Sequence, residues 1–218
     1  MTKVNLINKE ALSELDSIVD CFFNELDYDN PEYRVCSKDY GVNMCPSYFT
    51  SEEHLRYKKD MGLGHSGFPE EHMACPMTNI IAKNKDPKWK AFEERCRITF
   101  SQFLGAHSAA LLNYYPPNGS VGWHTNWNAP AHQILFTWSR TGDGFFNYYD
   151  NKADKVVTIK DVPGWQCHHY HFGGKDDPDN HCWHSAFTNC DRFTMAYKFM
   201  SGTGEILRDN LIQELENE

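Results

Sequence analysis

The pattern of hydrophobic positions divides the chain into two parts near residue 108. Before that point apolar residues recur at helical spacing, and after it short segments rich in aromatic and β-branched residues alternate with turn residues. Residues 9–27 are predicted to form an amphipathic helix with Asn8 as its N-cap. Residues 88–104 are predicted to form a second helix that faces the core, and residues 52–59 a shorter one.

Short strands are predicted throughout the second part of the chain. The candidate strands are residues 109–115, 121–126, 132–138, 144–150, 155–160, 167–172, 182–187 and 192–200. Clusters of Pro, Asn, Asp and Gly separate several of them, as turns require. Because eight such strands suit a double-sheet jelly roll, we expect a mainly β protein with flanking helices (α+β) and a double-stranded β-helix core.

The whole chain is expected to form one domain. Residues 1–107 would supply helices and an irregular, lid-like segment, residues 108–200 the jelly-roll core, and residues 201–218 a C-terminal helix or tail. Residues 28–90 mix Tyr, Gly, Pro, Met and charged residues without any period. A long irregular segment of this kind is more often functional than idle.

Composition narrows the class of protein. The chain has 218 residues, of which 40% are hydrophobic and 14% aromatic, and this is enough for one sizeable core. Its formal net charge of −9 offers no broad electropositive surface for nucleic acid. The N-terminus lacks the apolar segment of a signal peptide, and no run of about 18 apolar residues occurs, so no membrane association is expected.

The eight cysteines form no C-x-x-C motif, and without a secretory signal we expect reduced thiols and a cytoplasmic location. A structural zinc site is conceivable within one segment of the chain. Its candidate ligands are Cys36, Cys45, His54, His65, His72 and Cys75. Their spacings match no familiar zinc finger, so scattered buried cysteines and surface histidines are the better interpretation.

Two short stretches carry the candidate chemistry. The first, residues 113–126, ends with His124 and Asn126 two positions apart, which on a strand would place both side chains on the same face. The second, residues 181–194, contains His184. Two imidazoles on separate strands, with an oxygen donor beside one of them, make an open face that suits ferrous iron.

Arg192 and Thr194 come shortly after this second histidine and would share a face of the last predicted strand, where they could grip a carboxylate. The whole pattern resembles the 2-oxoglutarate- and Fe(II)-dependent oxygenases of the prolyl-hydroxylase and AlkB-like type. In that superfamily an H-x-D/E pair and a distal His bind iron, and an Arg, often in R-x-S/T, binds the far carboxylate of the cosubstrate. Asn113 and Tyr115 resemble the N-x-Y segment of the AlkB-like nucleic-acid dealkylases. The resemblance covers roughly residues 108–200.

The resemblance implies both a cofactor and a cosubstrate. The implied Fe(II) ligands are His124, Asn126 and His184. The residues implied to bind 2-oxoglutarate are Asn113, Tyr115, Arg192 and Thr194. The implied reaction oxidises 2-oxoglutarate to succinate and carbon dioxide and hydroxylates a substrate C–H bond. No catalytic acid or base beyond the metal ligands is implied.

Asn126 departs from the pattern of the superfamily, which has Asp or Glu at this position. An amide oxygen can coordinate a metal but carries no charge, so metal affinity should fall. Asn126 could be a neutral ligand in a working or weakened site. It could instead leave a position open for water or chloride, as in the related halogenases, or mark a non-catalytic binding protein. A cupin-like metal protein that needs no 2-oxo acid is a further alternative, although Arg192 and Thr194 speak against it.

Other side chains compete for these roles, and the substrate stays open. The rival metal ligands are His168, His169, His171, His181 and Asp150. The tryptophans that could line a substrate pocket, or equally be core, are Trp123, Trp127, Trp138 and Trp183. A small molecule or a protein side chain is favoured as substrate, and a nucleic acid is possible. The sequence leaves the oligomeric state open.

Overall fold

The computed structural model of the protein describes residues 1–36, 46–65, 69, 71–200 and 202–217. The strands are β1 Thr2–Val4, β2 Val35–Cys36, β3 His72–Pro76, β4 Ser108–Tyr115, β5 Ser120–His124, β6 Ala131–Ser139, β7 Gly144–Asp150, β8 Lys155–Lys160, β9 Gly164–Phe172, β10 His184–Thr188 and β11 Arg192–Phe199. The α-helices are α1 Lys9–Glu25, α2 Pro46–Phe49, α3 Glu52–Asp60, α4 Met77–Lys83, α5 Pro87–Glu94, α6 Phe100–Phe103 and α7 Thr203–Leu215.

The strands form one continuous antiparallel sheet in the order β1-β9-β6-β11-β4-β3-β5-β10-β7-β8, with β2 beside β3. Strand β3 pairs with β4 through Cys75 and Tyr114, and with β5 through His72 and Val121, so it joins two layers. We call β1, β9, β6, β11 and β4 the major sheet, and β5, β10, β7 and β8 the minor sheet. Strands β4–β11 are the eight expected from the sequence, and the jelly-roll prediction is confirmed.

Side chains of β11 point alternately to the two faces of the major sheet, so that one face packs into the hydrophobic core and the other faces a cavity. Its outward residues, such as Phe193 and Tyr197, are fully buried and belong to the hydrophobic core beneath the helices. Its inward residues Arg192, Thr194 and Ala196 line a cavity instead. Because successive side chains of a strand point to opposite faces, one strand serves packing and chemistry at the same time.

Helix α1 covers the outer face of the major sheet. The Asn8 side chain accepts a hydrogen bond of 2.9 Å from the backbone N–H of Ala11 and so caps the first turn, as predicted. Phe22 is fully buried, and its ring centroid lies 4.8 Å from that of Phe193 and 5.2 Å from that of Tyr114. Burying a side chain of this size stabilises the fold by roughly 1.5–3 kcal/mol.

The prediction for residues 88–104 is confirmed with one refinement. The helical segment consists of α5, a π-helical turn over Arg95–Thr99, and α6. The short helix expected over residues 52–59 is α3. The C-terminal segment is helix α7 over its described residues. No helix in the described part of the chain is long and apolar enough to cross a membrane.

The structure differs from the expectations in the segments around the core strands. Besides the short helix expected there, residues 28–90 contain β3 and α4, and β3 connects the two sheets. Strand β5 ends at His124, so Asn126 follows the strand instead of sharing its face by alternation. The short strand β1, which pairs with β9, was also missed. Cys45, one of the conceivable zinc ligands, lies outside the described residues.

Candidate functional site

A cavity of about 290 Å³ lies between the inner faces of the two sheets. The minor sheet contributes His124 and His184, and the major sheet contributes Arg192, Thr194 and Tyr115. Asn126 also lines the cavity, from the segment after β5. A broader surface groove beside α1 holds none of the predicted site residues. Six of the seven residues singled out from the sequence therefore line a single cavity.

The two candidate iron ligands face each other across neighbouring strands. His124 and His184 are partners in the antiparallel ladder of β5 and β10, and their ring centroids lie 4.0 Å apart. Nδ1 of His124 is 2.9 Å from the carbonyl oxygen of Gly122, and Nδ1 of His184 is 2.9 Å from that of Cys182. A carbonyl only accepts, so each Nδ1 carries the proton and Nε2 is the ring nitrogen suited to coordinate a metal.

Burial keeps both imidazoles neutral. It lowers the pKa of His184 to about 4, against the smaller effect of the hydrogen bond to Cys182. It also lowers the pKa of His124 well below its usual value, and the neighbouring His184 adds to this effect. Neutral imidazole is the form that binds a metal ion, so the pair is ready to coordinate at physiological pH.

The third donor implied by the sequence pattern is the amide of Asn126, which lines the same cavity. In the described part of the chain, no group of three His, Cys, Asp or Glu side chains is arranged to hold a metal. The pair of imidazoles lacks a carboxylate, and an amide oxygen is the donor that the cavity offers in its place. The role of Asn126 as a ligand stays a prediction.

Arg192 is held by a buried carboxylate that sequence reasoning did not find. Its Nε donates to Oδ2 of Asp161 over 2.8 Å, and the two side chains are only 2% and 0% exposed. Gln166 donates from Nε2 to the other carboxylate oxygen, Oδ1, over 2.6 Å. Asp161 directly follows β8, and Gln166 lies on β9. The contacts to Asp161 therefore fix the guanidinium without using all of its donors.

Arg192 lines the cavity, and one of its terminal nitrogens has no partner among the described residues. Nη1 donates to Oγ1 of Thr194 over 3.0 Å, whereas Nη2 is buried and has no hydrogen-bond partner among the described residues. The guanidinium carbon lies 5.4 Å from the centroid of the Tyr115 ring. A buried donor without a partner is costly, so this corner is suited to an anionic ligand that accepts from Nη2.

Asn113 shares the inward face of β4 with Tyr115 and is fully buried. Neither atom of its amide makes a well-formed hydrogen bond within the described part of the chain. The amide nevertheless lowers the pKa of the Tyr115 hydroxyl, although the larger effect of burial raises it. On β11 the Cα partner of Asn113 is Thr194. Unsatisfied polar atoms therefore cluster around Arg192, Thr194 and Tyr115, where a polar ligand would satisfy them.

These residues fit the iron and cosubstrate that the sequence pattern implied, with one difference. Two neutral imidazoles and an amide oxygen supply two nitrogen donors and one oxygen donor, and Fe(II) accepts both kinds. The orphaned Nη2 of Arg192 and the Thr194 hydroxyl suit one carboxylate of 2-oxoglutarate. The difference is the charge missing at Asn126, which would leave a bound metal one unit more positive.

The rival metal ligands are not assembled around this cavity. His181 donates from Nε2 to the carbonyl oxygen of Gly174 over 2.9 Å, and His171 stacks on His132 with ring centroids 4.3 Å apart. Asp150 accepts from the backbone N–H groups of the turn after β7. His168 and His169 also lie outside the cavity lining.

The four tryptophans pack elsewhere. Trp123 and Trp183 form a small apolar cluster with Leu55, and Nε1 of Trp123 donates to the carbonyl of Ser51 over 2.8 Å. Trp138 packs against the core beneath α1, and the Trp127 ring stacks on His65 with centroids 3.8 Å apart. None of the four lines the cavity, so the core interpretation is the better one.

Comparison with solved structures finds weak similarities of fold. A prolyl hydroxylase from Trichoplax adhaerens, in complex with a hypoxia inducible factor oxygen degradation domain peptide fragment, is 10% identical with a TM-score of 0.35, over 94% of this chain and 97% of that chain. A Pseudomonas putida prolyl-4-hydroxylase is 10% identical with a TM-score of 0.33, over 85% and 98%. A cupin domain from Bordetella pertussis is 14% identical with a TM-score of 0.26, over 42% and 78%.

At such identities and TM-scores these similarities carry no argument about function. A cysteine peptidase from Thevetia peruviana latex, of which this chain spans about half (47%), is found at the same level. No protein-family model matches the chain, and no curated protein matches it. The jelly-roll assignment rests on the strand order, and any function must be argued from the cavity and its side chains.

Proposed function

We propose that this protein is a 2-oxoglutarate- and Fe(II)-dependent oxygenase that hydroxylates a substrate C–H bond. The observation that carries the proposal is that Arg192, whose Nη2 is buried without a partner among the described residues, lines the same cavity as the facing imidazoles of His124 and His184. A neutral pair of metal ligands and an unpaired guanidinium donor in one small cavity are the two requirements for binding a metal-chelating 2-oxo diacid.

Each residue has a defined part in binding. His124 and His184 would hold the iron through Nε2, with the Asn126 amide as the third donor. Arg192 and Thr194 would bind the distal carboxylate of 2-oxoglutarate, and Asp161 orients the guanidinium for this contact. When bound, iron and 2-oxoglutarate would activate dioxygen, so that one oxygen atom goes into succinate as carbon dioxide leaves and the other goes into the substrate C–H bond.

Aromatic rings shield the metal side of the cavity. The rings of Phe146 and Phe172 lie with centroids 5.6 Å and 5.0 Å from that of His184. Both phenylalanines line the cavity, and they are 7% and 2% exposed. Apolar walls of this kind exclude bulk water and strengthen the electrostatic contacts inside. The arrangement supports a site that protects a reactive centre from solvent.

The test is an anaerobic titration of the protein with Fe(II) and 2-oxoglutarate. Coordination of the 2-oxo acid to iron should give a weak visible charge-transfer band, and addition of oxygen should yield succinate. The matched variant is Asn126→Asp, which restores the missing negative charge and should tighten Fe(II) binding by tenfold or more, about 1.4 kcal/mol. No band from either protein would refute the proposed cosubstrate.

A second candidate function is that of a binding protein with the oxygenase fold and a degenerate metal site. Asn126 favours it, because the described residues offer no carboxylate beside the two histidines. In that case only Asn126→Asp should give the band and succinate, while the native chain binds 2-oxoglutarate without turnover. A product that depends on chloride would instead indicate a halogenase-like use of the position beside Asn126.

A further inference from the structure

The cavity continues well beyond the residues assigned to iron and cosubstrate. Along the inward face of β11, Arg192 and Thr194 are followed by Ala196 and Lys198, and all four line the cavity. Four further alanines, Ala109, Ala110, Ala129 and Ala186, line it as well. Small side chains leave room beside the metal ligands. This half of the cavity, with Ala196 and Lys198 on β11, is called the alanine end.

Two polar groups stand together at the alanine end. Lys198 and Gln133 are Cα partners in the ladder between β11 and β6, so their side chains lie side by side on the inner face. Gln133 is 6% exposed, and Lys198 is half-buried. Lys198 forms no ion pair with any carboxylate of the described residues. An ammonium group beside an amide donor is suited to hold an anion.

The charge of the cavity is opposite to that of the protein. The chain has 30 acidic residues and a net charge of −9, yet in its described part no Asp or Glu lines this cavity. Its charged lining residues are Arg192 and Lys198, both of them cations. Asp161 compensates the charge of Arg192, whereas Lys198 has no ion pair among the described residues, so Lys198 is the cavity position that most favours a negatively charged ligand.

The two cations are too far apart for a single molecule of 2-oxoglutarate. Arg192 and Lys198 are six positions apart on one strand, which corresponds to about 20 Å between their Cα atoms. A five-carbon dicarboxylate whose far end is bound by Arg192 does not reach Lys198 and Gln133. The alanine end therefore has an anion-binding group that the cosubstrate leaves unused.

We propose that the substrate is a small molecule with a short apolar stem and a carboxylate end, and that Lys198 and Gln133 bind this carboxylate. The inference rests on the proposed function for its substrate role. The stem lies over Ala196 and its Cα partner Leu111 on β4, which brings a C–H bond of the stem toward His124 and His184. A cavity of about 290 Å³ is at the lower end of the roughly 300–1,000 Å³ of small-molecule sites, so the occupant is small.

The test uses butanoate, hexanoate and octanoate, each beside its primary amide, titrated into the protein and followed by ligand-detected saturation-transfer NMR. At least one carboxylate should bind about tenfold more tightly than its amide, because only the carboxylate forms a charge-assisted contact with Lys198. Lys198→Met should remove this preference, and Lys198→Arg should retain it. A preference that survives Lys198→Met would overturn the proposal, as would the absence of any preference in the native protein.

A second arm separates this inference from the proposed function. The titrations are repeated with the double variant Arg192→Met/Asp161→Leu, which removes the other cation together with its carboxylate partner. The carboxylate preference should persist in it, while 2-oxoglutarate binding is lost. A preference lost with Arg192 instead of Lys198 would show one shared anion site and refute the inference. If the native protein binds no 2-oxoglutarate but keeps the Lys198-dependent preference, the proposed function fails and the anion site stands.

Discussion

Two ion pairs among the described residues have little exposure to solvent, and they differ in the donors that they leave unused. In the first, Arg192 is 2% and Asp161 0% exposed, and Nη2 of the guanidinium is buried without a partner among the described residues. In the second, Lys58 is 4% and Glu71 23% exposed, with Nζ and Oε2 2.5 Å apart. The second pair is supported by His54, whose Nε2 lies 3.6 Å from the other carboxylate oxygen.

This difference in unused donors indicates that the Arg192–Asp161 pair serves ligand binding, whereas the Lys58–Glu71 pair serves stability. Lys58 and Glu71 do not line the cavity, and the backbone carbonyl of Glu71 accepts from Gly122 over 2.7 Å beside β5. Asp161 instead uses only Nε of Arg192 and leaves the rest of the guanidinium to Thr194 and a ligand. Breaking either pair should destabilise the fold, but only one should alter ligand affinity.

The largest expected effect follows from Arg192→Met. It leaves the Asp161 carboxylate buried without its cation, and this should lower the free energy of unfolding by about 3–5 kcal/mol. It also removes the guanidinium from the cosubstrate site, so the Kd for 2-oxoglutarate should rise by about 100-fold or more. Chemical denaturation and the anaerobic titration measure the two effects separately.

The double variant Arg192→Met/Asp161→Leu distinguishes the loss of stability from the loss of affinity for 2-oxoglutarate. Replacing both members of a buried pair with apolar residues should restore much of the lost stability, because no uncompensated charge remains. Affinity for 2-oxoglutarate should stay lost. A double variant that regained affinity along with stability would mean that Arg192 is only a structural residue.

From the sequence we predicted Arg192 but missed Asp161, the carboxylate that holds it. Arg192, Thr194, His124 and His184 were found because they match the motif of a resembling superfamily, and the spacings within such a motif are local features of a chain. Asp161 lies 31 positions before Arg192, and only the folded sheet brings the two side chains together. No periodic pattern in the sequence distinguishes Asp161, at the end of a strand, from an ordinary surface carboxylate.

The same limit explains the errors in the fold. The strand β3 lies in a stretch whose Met, Ala, Cys and Pro residues have no alternating pattern, and its pairing with β4 and β5 comes from tertiary context. Asn126 was placed on a strand by counting two positions from His124, but β5 ends at His124. Local patterns predicted the eight core strands well and the segments that join or end them poorly.

The next largest effect is the loss of stability expected from Glu71→Gln, which removes the carboxylate of the Lys58–Glu71 pair. Partial burial alone would raise the pKa of Glu71, but the contacts with His54 and Lys58 outweigh it and lower the pKa to about 2. At pH 7 the substitution should destabilise the fold by about 3 kcal/mol. A carboxyl with a lowered pKa stabilises fully above its unfolded value near 4.5, so the difference between the two proteins should shrink as the pH falls from there toward 2.

The surface variant Glu93→Gln is the control for this prediction. Glu93 pairs with Arg97 one helical turn away, with both side chains partly exposed, and such a pair contributes only about 0.3–0.5 kcal/mol. Neither substitution should change the Kd for 2-oxoglutarate by more than about twofold. A large change of affinity in Glu71→Gln alone would contradict the assignment of the second pair to stability.

A smaller effect is expected from Gly144→Ala, which acts on Asp161 indirectly. A Cβ atom at Gly144 would lie 2.5 Å from Oδ2 of Asp161 and 3.0 Å from the carbonyl of Phe187. The carboxylate must move, so we expect a loss of about 1–3 kcal/mol in stability and a several-fold weaker affinity for 2-oxoglutarate. Gly174→Ala is the control, because a Cβ atom there makes only ordinary contacts, the nearest at 3.4 Å. Equal affinities of the two variants for 2-oxoglutarate would show that small shifts of Asp161 do not change the position of the Arg192 guanidinium.

The smallest effect, and the most specific, is expected from Thr194→Val. The substitution keeps the shape of the side chain but removes the hydroxyl that accepts from Nη1 of Arg192. Loss of one such contact at the carboxylate site should weaken 2-oxoglutarate binding by about 1 kcal/mol, roughly fivefold. The control is Thr137→Val, because Thr137 is the buried Cα partner of Thr194 on β6 but does not line the cavity. If both variants lose the same affinity, the effect comes from strand packing, and the Thr194 hydroxyl has no part in binding the cosubstrate.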